Sequence, residues 1–199
     1  MFSERWTLMR EMIDGGLITT PDRTLTHTQL LQLFQAFLLQ VKESEGMVYV
    51  VPSENNGALA TYFANTLITQ LGISARGLDP AHEDMTLHLA LLLNKTDLLI
   101  TLSDLEVSPN TLGAAAMAKE QDVPLITFSG GQRDNPLVEL GDLNIHFDKA
   151  DQNLVQTGQF SLIATIIESW FFYETPPHFE PELLLTKIKT QTLPTGLRI

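Results

Sequence analysis

Short apolar runs that alternate with helical segments constrain the fold of this chain more than any other feature. Four such runs are MVYVV, DLLITL, PLITFS and LNIHF, at residues 47–51, 97–102, 124–129 and 143–147. Parallel strands covered on both faces read as unbroken apolar runs, and segments of about 10 to 15 helical residues separate them. The alternation predicts an α/β fold, a three-layer doubly wound parallel sheet with right-handed crossovers.

The segments around these runs have the spacing of helices, with one further short strand predicted over 74–78. The helices predicted inside the sheet region cover 57–71, 82–95, 109–121 and 153–173. The last of these is apolar nearly all round, and a helix of that kind must be covered on every side. We therefore expect a second subunit to cover part of it.

Two helices are predicted ahead of the sheet. The first starts at Met1 and stops at Gly15-Gly16, and the second covers 26–43. The chain then divides into N-terminal helices (1–44) that pack on the core and contribute to an oligomer interface, a central domain (45–174) and a C-terminal arm (175–199).

Composition and charge exclude several classes of function. The chain has 12 Lys and Arg against 24 Asp and Glu, which gives a formal net charge of −12. A charge of this sign repels nucleic-acid phosphates and anionic membrane, so neither is expected as a partner. The absence of cysteine removes disulfides and thiolate metal sites and fits a cytoplasmic location. The N-terminus lacks a signal peptide's apolar run, and no segment approaches the roughly 20 apolar residues of a membrane span.

Polar residues follow three of the predicted strands, in loops that lead into helix starts. Ligands of such sheets bind beyond the carboxyl ends of the strands. The loops PSENN, SDLEVSPN and SGGQRDNP contain neither a Walker A nor a G-x-G-x-x-G pattern, which argues against a nucleotide. The same residue types also serve as ordinary caps and turns. The candidate ligand-binding residues in these loops are Ser53, Asn55, Asn56, Ser103, Asp104, Ser108, Asn110 and Ser129.

A resemblance to the sugar isomerase (SIS) domain rests on three stretches: VVPSENNGALATYFANTL, DLLITLSDLEVSPNTLGAAAMAKEQDVPLITFSGG and NLVQTGQFSLIATIIE. It covers about residues 40–172 and is greatest to the phosphoheptose isomerase group and its relative, the DnaA initiator-associating protein. The resemblance implies a flavodoxin-like fold, a sugar phosphate or another small polar ligand, and a homodimer or homotetramer. The likeness to the DnaA initiator-associating protein also implies, as a further possibility, a protein partner in the initiation of replication.

The family's phosphate-binding hydroxyls are only partly present in this chain. The resemblance places the serine of the family's first loop at Asn56, and its second-loop positions at Ser103, Asp104, Leu105 and Ser108. A carboxylate at residue 104 opposes a phosphate, so either its side chain points away or phosphate does not bind in the family manner. Helix amides after Asn110 favour an anion, but the loop's own negative charge opposes them.

The family's proton-transfer residues are absent. Aldose–ketose isomerisation needs a general base and a general acid. The resemblance places Thr66 at the family's glutamate, Ala164 at its histidine and Tyr62 at a further histidine, while Gln156 is retained and Asn153 replaces a substrate-contacting acid. With Gln156 as the single remaining ligand of the zinc set that some members carry, no metal and no cofactor is expected.

Other ionisable residues offer weak alternatives. The five histidines are scattered, and the one local cluster, His82 with Glu83, Asp84 and His88, spreads over opposite faces of a helix. Asp104 and Glu106 offer an acid and a base. We expect their loop to be open to solvent, and without burial the pKa values of the two carboxyl groups are not driven apart.

These observations predict a noncatalytic SIS-type protein that binds a carbohydrate derivative or acts as a regulatory or interaction protein. The alternative is an aldose–ketose isomerase of phosphosugars, of the sedoheptulose 7-phosphate type, that uses other residues. Glu54 in the first loop is the candidate base for that alternative.

Overall fold

The computed structural model describes residues 2–79, 85–149 and 151–172. The N-terminal segment and the first half of the sheet contain α1 Phe2–Asp14, β1 Leu17–Thr20, β2 Arg23–Thr24, α2 His27–Glu43, β3 Val48–Pro52, α3 Gly57–Thr66 and β4 Ala75–Gly77. The second half contains α4 Met85–Leu92, β5 Leu98–Leu102, α5 Pro109–Glu120, β6 Leu125–Gly130, β7 Leu143–Phe147 and α6 Gln152–Phe172. Short helical turns cover Glu54–Asn56, Leu67–Leu71 and Pro136–Glu139.

The sheet has seven strands in the order β2-β1-β7-β6-β5-β3-β4. The strands from β4 to β7 pair in parallel. Numbered among themselves along the chain, these parallel strands follow the order 2-1-3-4-5 of flavodoxin-like folds, which confirms the predicted fold class. In this order the chain reverses direction across the sheet between β3 and β5, and the ends of those two strands frame a crevice.

Helices cover the sheet on both faces. On one face α1, α2, α3 and α6 enclose the larger core, in which the ring of Phe34 lies 6.2 Å from those of Phe63 and Phe128. On the other face α4 and α5 enclose a smaller core. Every residue of β3, β5, β6 and β7 is buried, as their unbroken apolar runs predict.

The sheet also carries two antiparallel edge strands that the sequence did not predict. The strands β1 and β2 form a hairpin, and β1 pairs antiparallel with β7. Without β1, the strand β7 would present a row of unpaired backbone groups at the sheet edge. The first helix ends at Asp14, as the glycine pair predicts, but the strand role of LITT was not predicted.

The long helix α6 is less uniformly apolar than its sequence suggests. Leu162, Ile163, Ile166 and Ile167 are buried within the chain, while Phe160 and Phe171 are 47% and 60% exposed. Small polar residues occupy much of the outer face, where Thr157, Ser161 and Thr165 bond carbonyls of the preceding turn. The premise that every side needs covering was therefore wrong, and a second subunit stays a prediction.

Several predictions lie outside the described residues. The segment 80–84, which includes His82, and the arm 175–199 belong to them, and the side chain of His88 is also not described. Within the described chain, no helix is both long enough and apolar enough to cross a membrane.

The strands that frame the crevice are fixed at their opposite ends by one carboxylate. Asp97 is 5% exposed, and it accepts hydrogen bonds from the backbone amides of Met47 and Asn94, each at 2.8 Å. These bonds hold the start of β3 beside the start of β5.

The variant Asp97→Ala should lose about 2–4 kcal/mol of unfolding free energy, because two partly buried amides lose a charged acceptor. Chemical denaturation measures this. Asp122→Asn, at an exposed carboxylate 2.9 Å from Lys95, is the control and should change stability by less than about 1 kcal/mol. Equal effects of the two substitutions would contradict this role for Asp97.

Candidate functional site

The candidate site lies at the carboxyl ends of β3 and β5. The first loop leaves β3 through the turn Glu54–Asn56 into α3, and the second leaves β5 through residues 103–108 into α5. The start of α6 lies against both loops, since Gln156 donates to the carbonyl of Asn55 at 3.3 Å and to Asp104. Three segments distant in sequence therefore meet at this crevice.

Asp104 is the centre of this crevice. Its side chain is buried, at 5% exposure for the residue. One carboxylate oxygen accepts from the Ser53 hydroxyl at 3.5 Å, and the other accepts from the amides of Asn55 at 3.2 Å and Gln156 at 3.4 Å. The carboxylate thus points into the crevice and not away from it, which were the two possibilities that the sequence left open. The expectation of an open loop at this residue was wrong.

The backbone of Asp104 is fixed by the end of β6. Its carbonyl accepts from the amide of Gly130 at 2.8 Å. A Cβ at residue 130 would come within 2.7 Å of the Val155 side chain and 3.1 Å of the Asp104 carbonyl oxygen. Glycine at this position lets the second loop, β6 and α6 come together, and this close approach fixes where the carboxylate lies.

The floor of the crevice is a buried amide. Asn56, 1% exposed, donates to the Ser53 hydroxyl at 3.1 Å and to the carbonyl of Leu102 at 3.3 Å. The amide of Ser53 also donates to that carbonyl, at 2.7 Å. Asn56 therefore joins the first loop to the end of β5.

A second buried amide, Gln159, belongs to the site and was not predicted. It is fully buried, and its Nε2 donates to the carbonyl of Ser103 at 2.6 Å. Its Oε1 is buried and has no hydrogen-bond partner among the described residues. The signal that could have found it is its spacing, because it follows Gln156 by three residues and shares that face of α6.

The remaining hydroxyls of the second loop serve the loop itself. Ser103 donates to the carbonyl of Glu106 at 2.9 Å. Ser108 caps α5 by accepting from the amide of Thr111 at 3.1 Å. Asn110 is half-buried in the first turn of α5. Ser108 is therefore an ordinary helix cap. The amide of Thr111, at the start of α5, already has this hydroxyl as its acceptor.

The positions aligned with the family's proton-transfer residues form a second, less polar surface between α3 and α6. Thr66 is buried and donates to the carbonyl of Tyr62 at 2.7 Å. The rings of Tyr62 and Phe160 lie 5.1 Å apart. Ala164 is half-buried and Asn153 is exposed. Neither Thr66 nor Ala164 carries a group that exchanges protons near neutral pH.

No metal site is found in the part of the chain that the structure describes, since no cluster of three or more His, Asp or Glu occurs there. Asp104 and Glu106 do not pair: the hydrogen bonds of Asp104 go to Ser53, Asn55 and Gln156, and Glu106 is exposed.

Ser129 lies apart from the crevice, within the sheet. It is fully buried, and its hydroxyl lies 3.0 Å from Nδ1 of His146, which is also fully buried. Burial lowers the pKa of His146 below 6.5, and the charge of Asp148 opposes this effect. Burial removes the water that would solvate the charged ring, so protonation inside the fold is unfavourable.

The lowered pKa of His146 predicts a loss of stability in acid. Below about pH 6.5 the unfolded chain binds a proton that the folded chain excludes, so unfolding free energy falls by at most about 1.4 kcal/mol per pH unit until the folded pKa is reached. Chemical denaturation between pH 7.5 and 5 measures this. His146→Gln should lose less stability than the unsubstituted protein over that range, and an equal loss in both would refute it.

Solved structures show the same fold at low sequence identity. A phosphoheptose isomerase from Neisseria gonorrhoeae matches with a TM-score of 0.69 at 15% identity, covering 84% of this chain and 94% of that one. The sugar isomerase domain of the RpiR transcription factor from Sphaerobacter thermophilus matches with 0.67 at 18%, covering 94% and 97%. The Vibrio vulnificus NanR protein complexed with ManNAc-6P matches with 0.57 at 16%, covering 82% and 63%.

Comparison with protein-family models gives no match, and comparison with curated protein sequences gives none either. The likeness is therefore one of three-dimensional structure, at 15 to 18% identity in the proteins named above. The chain has the fold of a sugar isomerase (SIS) domain and resembles the phosphoheptose isomerases in structure.

Proposed function

We propose that this protein is a noncatalytic SIS-fold protein that binds a small carbohydrate derivative in the crevice between β3 and β5. The observation that carries the proposal is the buried Asp104 carboxylate, held by Ser53, Asn55 and Gln156. The crevice keeps the position at which such folds bind ligands. Its polar groups suit hydroxyl-rich molecules, because the carboxylate accepts and the amides both accept and donate hydrogen bonds.

The electrostatics of the crevice oppose a phosphate. Two unit charges about 5 Å apart interact by about 3 kcal/mol at a protein-like dielectric, and a phosphate dianion facing Asp104 would be repelled by roughly twice that. No Lys or Arg of the described residues forms an ion pair with Asp104 to offset the repulsion. A neutral sugar meets no such penalty.

The likeness to a transcription factor and to a protein solved with a bound ligand adds support for a binding role. The RpiR neighbour is a transcription factor, and the NanR neighbour is complexed with ManNAc-6P. The same fold therefore occurs in a regulator, and a binding role for this chain needs neither a base nor an acid at residues 66 and 164.

An assay with sedoheptulose 7-phosphate tests the absence of catalysis. The protein should form no heptose phosphate above the level of a Thr66→Ala/Gln156→Ala double variant, because no proton-transfer group lies at those positions. Product formation well above that level would contradict the proposal. If Glu54→Gln then abolished it, the alternative of an isomerase with Glu54 as base would hold.

We also propose that the protein assembles as a homodimer or homotetramer through the outer face of α3 and α6. Tyr62 on α3 and Phe160 on α6 are 39% and 47% exposed, and their rings lie 5.1 Å apart; Ile68, in the turn that follows α3, is 46% exposed. Exposed apolar side chains of this kind are typical of an interaction surface. The same surface would also suit a different protein as partner, and this is the alternative to self-association.

Light scattering should show a dimer or tetramer at micromolar concentration, and Phe160→Asp should shift it towards monomer, because a buried unpaired charge opposes association. Leu91→Asp is the control, since Leu91 is 77% exposed on α4, on the other face of the sheet. A monomeric wild-type protein would reject the self-association proposal.

A further inference from the structure

The hydrogen bonds that hold the Asp104 carboxylate are long and come from neutral donors. They measure 3.2 Å from Asn55, 3.4 Å from Gln156 and 3.5 Å from Ser53. Bonds to an ionised acceptor from a cationic donor are shorter, near 2.7 to 2.9 Å, and roughly twice as strong. The carboxylate therefore lacks the type of partner that would bind it best.

Two of these donors lie where a ligand can displace them. Asn55 is exposed and Gln156 is half-buried, whereas Ser53 and Asn56 beneath them are buried. The two amides cover the carboxylate from the solvent side, and side chains with exposed ends change rotamer readily. A ligand that carries its own donor can take their place without disturbing the floor of the crevice.

A second group at the crevice also lacks a donor. Gln159 is fully buried, and within the part of the chain that the structure describes its Oε1 has no hydrogen-bond partner. The orientation of this amide is fixed, because its Nε2 already donates to the carbonyl of Ser103 at 2.6 Å. A buried acceptor without a donor is costly, so this oxygen and the Asp104 carboxylate both favour a ligand rich in donors.

The charged side chains in the two loops that form the crevice are all acidic. Glu54 and Glu106 are exposed in the two loops that form it, and the net charge of the chain is −12. A cationic ligand is attracted by this field and an anionic ligand is repelled.

We infer that the crevice binds an unphosphorylated amino sugar, whose ammonium group displaces the amides of Asn55 and Gln156 and pairs with the Asp104 carboxylate. The sugar hydroxyls then bond the displaced amides. This inference rests on the proposed function, and it adds the chemical class of the ligand.

Calorimetric titration of the full chain tests the inference. The probes are glucosamine, galactosamine and mannosamine, each beside its parent hexose, its N-acetyl derivative and its 6-phosphate, at a pH where the amine is protonated. At least one amino sugar should bind about tenfold or more tightly than its parent hexose and its N-acetyl derivative, because a charge-assisted bond replaces neutral ones. Its 6-phosphate should bind more weakly than the amino sugar itself.

The isosteric variant Asp104→Asn removes the charge and keeps the shape. It should lose the preference for the ammonium group, so that amino sugar and parent hexose bind within about threefold. Glu106→Gln is the matched control from the same loop and should keep the preference. If Asp104→Asn fails to fold, as judged by circular dichroism, the wild-type comparison of amino and N-acetyl sugars still decides the question.

Several results would overturn the inference. They are equal binding of amino sugar and parent hexose, tighter binding of the 6-phosphate, an unchanged preference in Asp104→Asn, and equal binding of putrescine, a cation that is not a sugar. Hexoses that bind without a preference for the ammonium group would leave the proposed function in place. A complete lack of binding across the panel would remove both.

Discussion

The parallel pairing of β3 with β5 is the constraint on which the candidate site depends. Pro52 lies opposite Leu102 in this register, so the residues that follow, Ser53 and Ser103, begin their loops side by side. The carbonyl of Leu102 then accepts from the amide of Ser53 and from the side chain of Asn56. One strand register thereby brings together two loops that are separated by about fifty positions in the sequence.

A charge inside this crevice separates the protein from a simple phosphate-binding version of the fold. The family's hydroxyl position carries Asp104, whose backbone is fixed by Gly130 and whose carboxylate meets only neutral donors among the described residues. Because the same carboxylate repels anions and attracts cations, it supports both the proposed exclusion of phosphate and the proposed change of ligand class. The proton-transfer positions are consistent with this, since Thr66 is used in a hydrogen bond within α3.

The sequence predicts the sheet well because each central strand is buried on both faces and therefore reads as an apolar run. It did not predict the hairpin of β1 and β2, although Pro21-Asp22 between LITT and Arg23 is a turn signal. The hairpin covers the free edge of β7. Which strand lies at an edge depends on the order of strands in the assembled sheet, and no local pattern shows it.

The residues of the site were predicted better than their arrangement. Ser53, Asn55, Asn56, Asp104 and Gln156 were all candidates, and they lie together; that they bind a ligand stays a proposal. The direction of the Asp104 side chain was left open because its partners are 49 to 52 residues away in the sequence. Gln159 was missed, since a single glutamine in an apolar helix gives little local signal, and Ser129 was expected near the ligand but bonds His146 inside the sheet.

Phosphorus-31 NMR of glucose 6-phosphate in the presence of the protein tests most directly whether the buried carboxylate excludes phosphate from the crevice. The account predicts that the resonance keeps its position and width with wild-type protein, and that it broadens with Asp104→Asn, in which the repelling charge is gone. Broadening by the wild-type protein that is equal to or greater than that by Asp104→Asn would contradict it.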